Sequence, residues 1–473
     1  MATTAQLDRA LNPKSVVVVG DTKRGNYHWL KSMSTIKGGK LYSVHIAPDD
    51  IPGIEALGIP NYSSVTEVPG EVDYVLVAVP RVVAPRVLQD CITKGVGCVA
   101  MFTSGFAETE TEEGTKLQAQ MKQMALDSGI VLIGPNCMGL YNPDAGVRFS
   151  EGQPNGFEGD VAFLSQSGGH TGDFITTAHA AGVPVRKAVS FGNGIVLEHP
   201  DYLEYFAQDE GTRAISMYVE GIQDGPRFFR VLRETARRKP VVLWKGGLTD
   251  AGGRATASHT ASLAGSEATW KALARQTGAI PAGSITESVD LLKALRMLPP
   301  FTGTGLGITG GSGGQSVAMS DVFSRAGLGI PTLSEASLEK LGSWFRVVGA
   351  SFGNPIDMGS NRSEIEDIIQ VLADDANVDC VVMQIRPESG DDGRDAARLE
   401  AQLGALAKGK ELAKDKPVVA IMFSSNPFEE GPALARLDAR LREIGIPGYP
   451  TYERAASAIA KVAAYHRFRA GLE

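Results

Sequence analysis

Short apolar runs alternate along the chain with stretches in which apolar residues recur every three or four positions. Ser15–Val19, Val72–Val79, Gly97–Phe102 and Ile130–Ile133 are such runs, rich in β-branched residues and largely apolar at consecutive rather than alternate positions. Strands of that kind are covered on both faces, so they predict a mostly parallel sheet between helices. A second series contains Asp160–Leu164, Ala214–Val219 and Pro240–Trp244. A third, after the turn-rich Leu298–Gly303, contains Gly305–Thr309, Cys380–Ile385 and Pro417–Phe423. The pattern predicts an α/β chain of three doubly wound domains, 1–150, 151–299 and 300–473.

Length agrees, since 473 residues exceed one ordinary core and about 150 residues per domain gives three. No window approaches the roughly 18 consecutive apolar residues of a membrane span, and Met1–Arg9 lacks the basic-then-apolar layout of a signal peptide. A soluble, cytoplasmic protein is expected. A formal charge of -8 argues against a nucleic-acid surface. Cys91, Cys98, Cys137 and Cys380 show no metal-ligand spacing and read as reduced thiols. The 55 glycines form no repeat, which points to many tight strand-to-helix turns.

Three such turns carry candidate chemistry. Val19–Asn26 supplies Gly20 and Gly25 but not the spacing of a dinucleotide fingerprint, and the next strand, Leu41–Ile46, runs into Ala47-Pro48 where an acidic ribose ligand would stand. A nicotinamide-dependent oxidoreductase is thereby disfavoured, while Lys23 and Arg24 suit an additional phosphate. The turn Ser165-Gln166-Ser167-Gly168-Gly169 leads into a helix with Phe174, Ala178 and Ala181 on one face before Gly182. The turn Thr309-Gly310-Gly311-Ser312-Gly313-Gly314 leads into one carrying Ala318, Val322 and Ala326. Unpaired amides at glycine-rich helix starts attract phosphate oxygens.

His259 lies in Gly252-Gly253-Arg254-Ala255-Thr256-Ala257-Ser258-His259-Thr260-Ala261-Ser262-Leu263-Ala264-Gly265. A histidine among small residues is accessible to a group as large as a phosphoryl, on backbone with freedom to move. Such a segment suits a covalent carrier.

The ordered set Gly134-Pro135-Asn136-Cys137-Met138-Gly139, Ser165-Gln166-Ser167-Gly168, Gly192-Asn193, Tyr218-Val219-Glu220-Gly221-Ile222, Ser258–Gly265 and Asn354-Pro355-Ile356-Asp357 resembles the alpha subunit of ADP-forming acyl-CoA synthetases. These are relatives of the succinyl-CoA synthetase alpha chain. The resemblance runs over roughly residues 5 to 465 and implies a Rossmann-like CoA-binding domain followed by two flavodoxin-like ligase domains. It implies that CoA is bound around Gly20, Thr22, Lys23 and Arg24, at Val79 and Pro80, at Ser104, Gly105 and Phe106, and at Asn136. It also implies that His259 is phosphorylated and that Glu220 holds its ring. A carboxylate on the second ring nitrogen fixes the tautomer and stabilises the charge that develops on phosphorylation.

The implied reaction passes phosphoryl from ATP to His259 and on to a small carboxylic acid, giving an acyl phosphate that CoA attacks. The turns at Ser165–Gly169 and Gly310–Gly314 are the expected phosphate and acyl-phosphate sites. No Gly-x-x-x-x-Gly-Lys-Ser/Thr loop occurs, so ATP/ADP and Mg are expected on a separate ATP-grasp beta subunit, in an α2β2 assembly. Ala261 stands where the family usually has glycine, His170 places a large side chain beside the second turn, and Asp21 replaces a commoner small residue. A CoA-binding regulatory or scaffold protein that has lost turnover is the alternative, and the pair His259 and Glu220 argues against it.

Overall fold

The computed structural model describes residues 2–254, 266–347, 349–359, 361, 363–387, 393–426 and 428–471. His259 and Ala261 lie outside them. The chain divides into two compact units, Met1–Ser288 and Val289–Glu473.

The first unit holds two six-stranded sheets. One is built from β1 (Ser15–Val19), β2 (Lys40–Val44), β3 (Asn61–Tyr62), β4 (Tyr74–Val77), β5 (Cys98–Met101) and β6 (Val131–Ile133), in the all-parallel order β3-β2-β1-β4-β5-β6. Every residue of β1, β4 and β5 is buried, as expected for strands apolar on both faces. The order reverses between β1 and β4, so a crevice opens beyond their carboxyl ends, where ligands bind in such sheets.

The other sheet contains β7 (Gly139–Tyr141), β8 (Val161–Ser165), β9 (Val185–Ser190), β10 (Ala214–Val219), β11 (Val241–Lys245) and β12 (Ile280–Ala282), in the order β12-β11-β10-β8-β9-β7. Only β7 runs antiparallel, against β9. The parallel part is a flavodoxin-like order whose reversal falls between β8 and β10. The strand β9 escapes an apolar scan because it reads Val185-Arg186-Lys187-Ala188-Val189-Ser190. Lys187 is nevertheless buried, with its Nζ 3.7 Å from Asp209, and Arg186 reaches Asp209 at 2.9 Å and Glu158 at 2.8 Å. Although β7 lies before residue 150, its partners belong to the second sheet.

The second unit has one parallel sheet, β13 (Leu306–Thr309), β14 (Cys380–Ile385), β15 (Val418–Met422) and β16 (Gly448–Tyr449), in sequence order. Parallel bridges from Gly305 to Gly329 and from Thr309 to Ile356 continue it past β13. The helix Gly313–Arg325 buries Ser316, Met319 and Phe323 rather than Ala318, Val322 and Ala326. The larger Met319 and Phe323 remove more apolar surface from water, and they set which stripe faces the sheet. All four cysteines are buried and unpaired, and burial pushes the Cys137 thiol up to about 12. Among the described residues no helix is long and apolar enough to cross a membrane.

Candidate active site

At the first switch point Gly20 has φ +88°, and a Cβ there would stand 2.6 Å from Val79 Cγ1. Glycine is required for this close approach of the β1 and β4 loops. The amides that follow are committed internally. Thr22 N–H donates to Asp21 Oδ1 at 3.0 Å, Lys23 N–H to Asp50 Oδ1 at 2.7 Å, and Gly25 N–H to the Thr22 hydroxyl at 3.2 Å. Asn26 and Tyr27 donate to the carbonyls of Lys23 and Thr22. Asp21 is buried and accepts from Leu30 N–H at 2.9 Å; burial raises its pKa, and the Leu30, Thr22 and Trp29 amides pull it back down. The acid at 21 therefore fastens the turn to the helix His28–Met33. The side chains of Lys23 and Arg24 are exposed on the same turn.

The apolar surface beside it went unread in the sequence. Ile46 after β2, Val82 and Val83 after β4 and Phe102 after β5 are all exposed, Ile46 by 75% and Val82 by 66%. They follow the carboxyl ends of neighbouring parallel strands, and Phe102 packs on Trp29 with ring centroids 4.8 Å apart. Pro80 is exposed and Val79 half-buried on the same loop. Apolar side chains beside two cations suit a ligand with an apolar body and phosphates, which CoA is.

The loop Ser104–Phe106 follows β5. Ser104 is exposed, whereas Phe106 is buried. The amides of Gly105 and Phe106 donate to one carboxylate oxygen of Glu108, at 2.6 and 3.1 Å, so neither is available to a ligand. Asn136, in the left-handed region at φ +58°, donates from Nδ2 to Asn193 Oδ1 at 3.4 Å. Two residues on, Met138 N–H donates to the Ser190 hydroxyl at 3.1 Å, and a Cβ on Gly168 would meet Met138 Cγ at 2.6 Å. The Asn136 loop and the start of the helix Gly168–Ala180 therefore adjoin.

At the second switch point Ser167 N–H is taken by the Ser165 hydroxyl at 2.9 Å, and the Ser167 hydroxyl caps His170 N–H at 3.3 Å. Among the described residues the amides of Gly168 and Gly169 have no acceptor. Those two make the free pair at this helix start. Gln166 faces the other way, its side-chain oxygen accepting from Glu220 N–H at 2.7 Å and Gly221 N–H at 3.0 Å. The Glu220 carbonyl accepts from Lys245 Nζ at 2.9 Å, and the Tyr218 hydroxyl bonds the Glu220 carboxylate. Burial and that carboxylate push the Tyr218 hydroxyl up to about 12. Lys245 is buried, 5.3 Å from the Trp270 ring centre, and burial lowers its pKa against the pull of Glu220. Lys245 has no sequence signature of its own, because an ordinary strand position carries it.

The His170 ring sits edge-on to Tyr218 at 4.5 Å and against Trp244 at 4.8 Å. Gly252 and Gly253 N–H bond back to Thr249, and His259 lies outside the described residues.

In the second unit Gly310 has φ +100°, and a Cβ there would meet the Gln384 carbonyl at 2.3 Å. A Cβ on Gly311 would meet Met319 at 2.8 Å, and one on Gly313 would lie 3.5 Å from the Asp357 carboxylate. A Cβ on Gly314 would meet nothing within 4 Å. Ser312 and Gln315 form a reciprocal cap.

Two switch-point clefts in one unit, one lined by cations and apolar side chains and the other by free amides beside a held carboxylate, define a doubly wound anion-handling protein. The CoA binding domain family matches residues 14–143, and the succinyl-CoA ligase like flavodoxin domain family matches residues 158–295. Acetate–CoA ligase [ADP-forming] II subunit alpha of Pyrococcus furiosus is 33% identical over 470 residues, covering 96% of this chain and 97% of that protein. Subunit alpha of enzyme I from the same organism is 32% identical, covering 98% of each. Acetate–CoA ligase [ADP-forming] I of Archaeoglobus fulgidus is 32% identical over 98% of this chain, which spans 64% of that longer protein. The structure of the dinucleotide forming acetyl-coenzyme A synthetase 1 of Ca. Korarchaeum cryptofilum, in complex with phosphate and ADP, superposes with a TM-score of 0.83 at 29% identity, covering 98% of this chain and 97% of that one. The chain belongs to the family of ADP-forming acyl-CoA synthetase alpha subunits.

Proposed function

We propose that the chain performs the acyl and phosphoryl transfers of carboxylate + CoA + ATP ⇌ acyl-CoA + ADP + phosphate. The observation that carries this is the free amide pair Gly168–Gly169, flanked by Glu220 on one side and by the Asn136–Met138 loop on the other. In the synthetic direction, a carboxylate oxygen takes the phosphoryl from phosphorylated His259, so that an N–P bond breaks as an O–P bond forms. The CoA thiol then attacks the acyl carbon, and phosphate leaves with the thiol proton. Amides at 168 and 169 offset the charge that develops on the acyl phosphate. Glu220, held at its N–H, its carbonyl and its carboxylate, receives the His259 ring and keeps the attacking nitrogen unprotonated.

CoA occupies the first cleft, its additional phosphate on Lys23 and Arg24 and its body along Val79, Pro80 and Ser104. Nucleotide and Mg2+ reside on an ATP-grasp beta subunit in an α2β2 assembly, and Mg2+ there offsets triphosphate charge. Residues 1–150, 151–299 and 300–473 are the CoA, phosphohistidine and second ligase modules, with Gly310–Gly314 as a further phosphate-binding turn. The test is labelling by radioactive phosphate in the presence of acetyl-CoA and other acyl-CoAs. An acid-labile, base-stable label is expected on wild type, lost in His259→Asn and reduced in Glu220→Gln. A His259→Asn protein that labels like wild type refutes the relay.

A further inference from the structure

Glu108 belongs to no family motif noted above, yet its carboxylate accepts three hydrogen bonds beside the loop after β5. One oxygen accepts the Gly105 and Phe106 amides at 2.6 and 3.1 Å, and the other accepts Asn193 Nδ2 at 2.7 Å. The same Asn193 nitrogen donates its second hydrogen to Gln118 Oε1 at 3.0 Å, from the helix Glu112–Ser128. An Asn amide has two N–H donors on one side and an acceptor on the other. With both donors committed to acceptors, the Asn193 carbonyl oxygen must face the opposite way, where it accepts from Asn136 Nδ2 at 3.4 Å. That orients the second amide as well and leaves Asn136 Oδ1, rather than its NH2, without a partner among the described residues.

We propose that Glu108 is a positioning residue that sets the amide orientation of Asn193 and, through it, of Asn136, so that Asn136 presents an acceptor oxygen to the thiol end of CoA. This rests on the reading of Asn136 as a CoA-contacting residue. A carboxylate at 108 is the only state of that side chain that accepts from both directions at once. The neutral amide of Glu108→Gln keeps an oxygen for Gly105 and Phe106 but turns a donor toward Asn193. Asn193 must then reverse, the Gln118 and Asn136 amides reverse with it, and an NH2 replaces the acceptor. The loop Ser104–Phe106 keeps its hydrogen bonds throughout, which separates orientation from folding.

The measurement is the dissociation constant of CoA by calorimetry on the full chain, with thermal midpoints as a fold control. Glu108→Gln is expected to weaken CoA about tenfold, the scale of one misdirected hydrogen bond, at an unchanged midpoint. The double variant Glu108→Gln/Asn193→Asp restores an acceptor toward Asn136, since the introduced aspartate accepts from both sides while the Gln118 amide reverses to donate. Its affinity is expected within about twofold of wild type. Wild-type affinity in Glu108→Gln, or a double variant no better than the single, overturns the proposal. Asn136→Ala separates the two failures. If it leaves CoA affinity unchanged, the CoA-site reading falls and the proposal with it; if it weakens CoA while Glu108→Gln does not, only the proposal falls.

Discussion

The side-chain oxygen of Gln166 accepts the backbone N–H of Glu220 at 2.7 Å, across 54 residues of sequence. With Gly221 N–H at 3.0 Å and Lys245 Nζ on the Glu220 carbonyl at 2.9 Å, it fixes the carboxylate segment against the turn that offers free amides. Gln166 Oε1 is therefore a brace for that segment. Gln166→Leu leaves two buried amides unpaired, which costs about 1–3 kcal/mol in stability. It is expected to slow phosphate labelling of His259 about tenfold through a misplaced Glu220. Rapid-quench labelling beside urea unfolding checks both, and wild-type labelling at reduced stability removes the bracing role.

Since the amides at Thr22, Lys23, Gly25, Asn26 and Tyr27 are all committed, the exposed side chains of Lys23 and Arg24 are the proposed anion contacts of the first turn. Lys23→Gln/Arg24→Gln is expected to weaken CoA about tenfold or more and to leave dephospho-CoA nearly unaffected, because two exposed cations act on the extra phosphate. The preference should also fade as salt rises. Calorimetry with both ligands decides, and an unchanged ratio of affinities excludes the assignment.

Gly168 has space for hydrogen only, since a Cβ would reach Met138 Cγ at 2.6 Å and Ser190 Oγ at 3.8 Å. Gly168→Ala is expected to lose about 1–3 kcal/mol as overpacking displaces Met138. Adding Met138→Ala removes the clashing carbon, so the pair should be strongly non-additive in a double-mutant cycle. Additive losses in urea unfolding would show that the two sites do not touch.

His199 is fully buried beside Phe191 and Phe228, and among the described residues neither ring nitrogen has a partner at full hydrogen-bond geometry, the Tyr218 backbone being a weaker polar neighbour. Burial lowers its pKa to about 3, against a weaker opposing influence from the Tyr218 backbone, with Lys245 pushing it lower. The folded ring stays neutral while the unfolded one protonates below about 6.5, so the unfolded state binds more protons between those values and stability falls as pH falls. From pH 7.5 to 5.0 this group alone is expected to remove about 2 kcal/mol, a loss absent in His199→Leu. Urea midpoints of the two proteins at both pH values test it, and parallel pH dependence would dismiss the group.

Much of the fold was legible because parallel strands buried on both faces must be apolar throughout, and β1, β5, β10 and β14 stand out for that reason. The strand β9 was hidden, since Arg186 and Lys187 become compatible with burial only once Asp209 and Glu158 arrive from elsewhere. The helix face at Met319 and Phe323 is not marked by period, since Ala318, Val322 and Ala326 share an equally good one, and only packing against the sheet chooses between them.

In the site, the turns with their glycines were written in the chain, because a backbone at φ +88° or a contact at 2.6 Å strains any larger residue. Which amides remain free was not. At Thr22, Lys23, Gly105, Phe106 and Ser167 the donors are consumed by Asp21, Asp50, Glu108 and Ser165, and at Gly168 and Gly169 they are not. Sequence alone determines which segments are able to form a helix start or a tight turn, since those preferences are local. Tertiary structure alone decides which polar groups meet, because a hydrogen bond such as Gln166 to Glu220 depends on two strands becoming neighbours in the sheet, and nothing local in either segment encodes the distance.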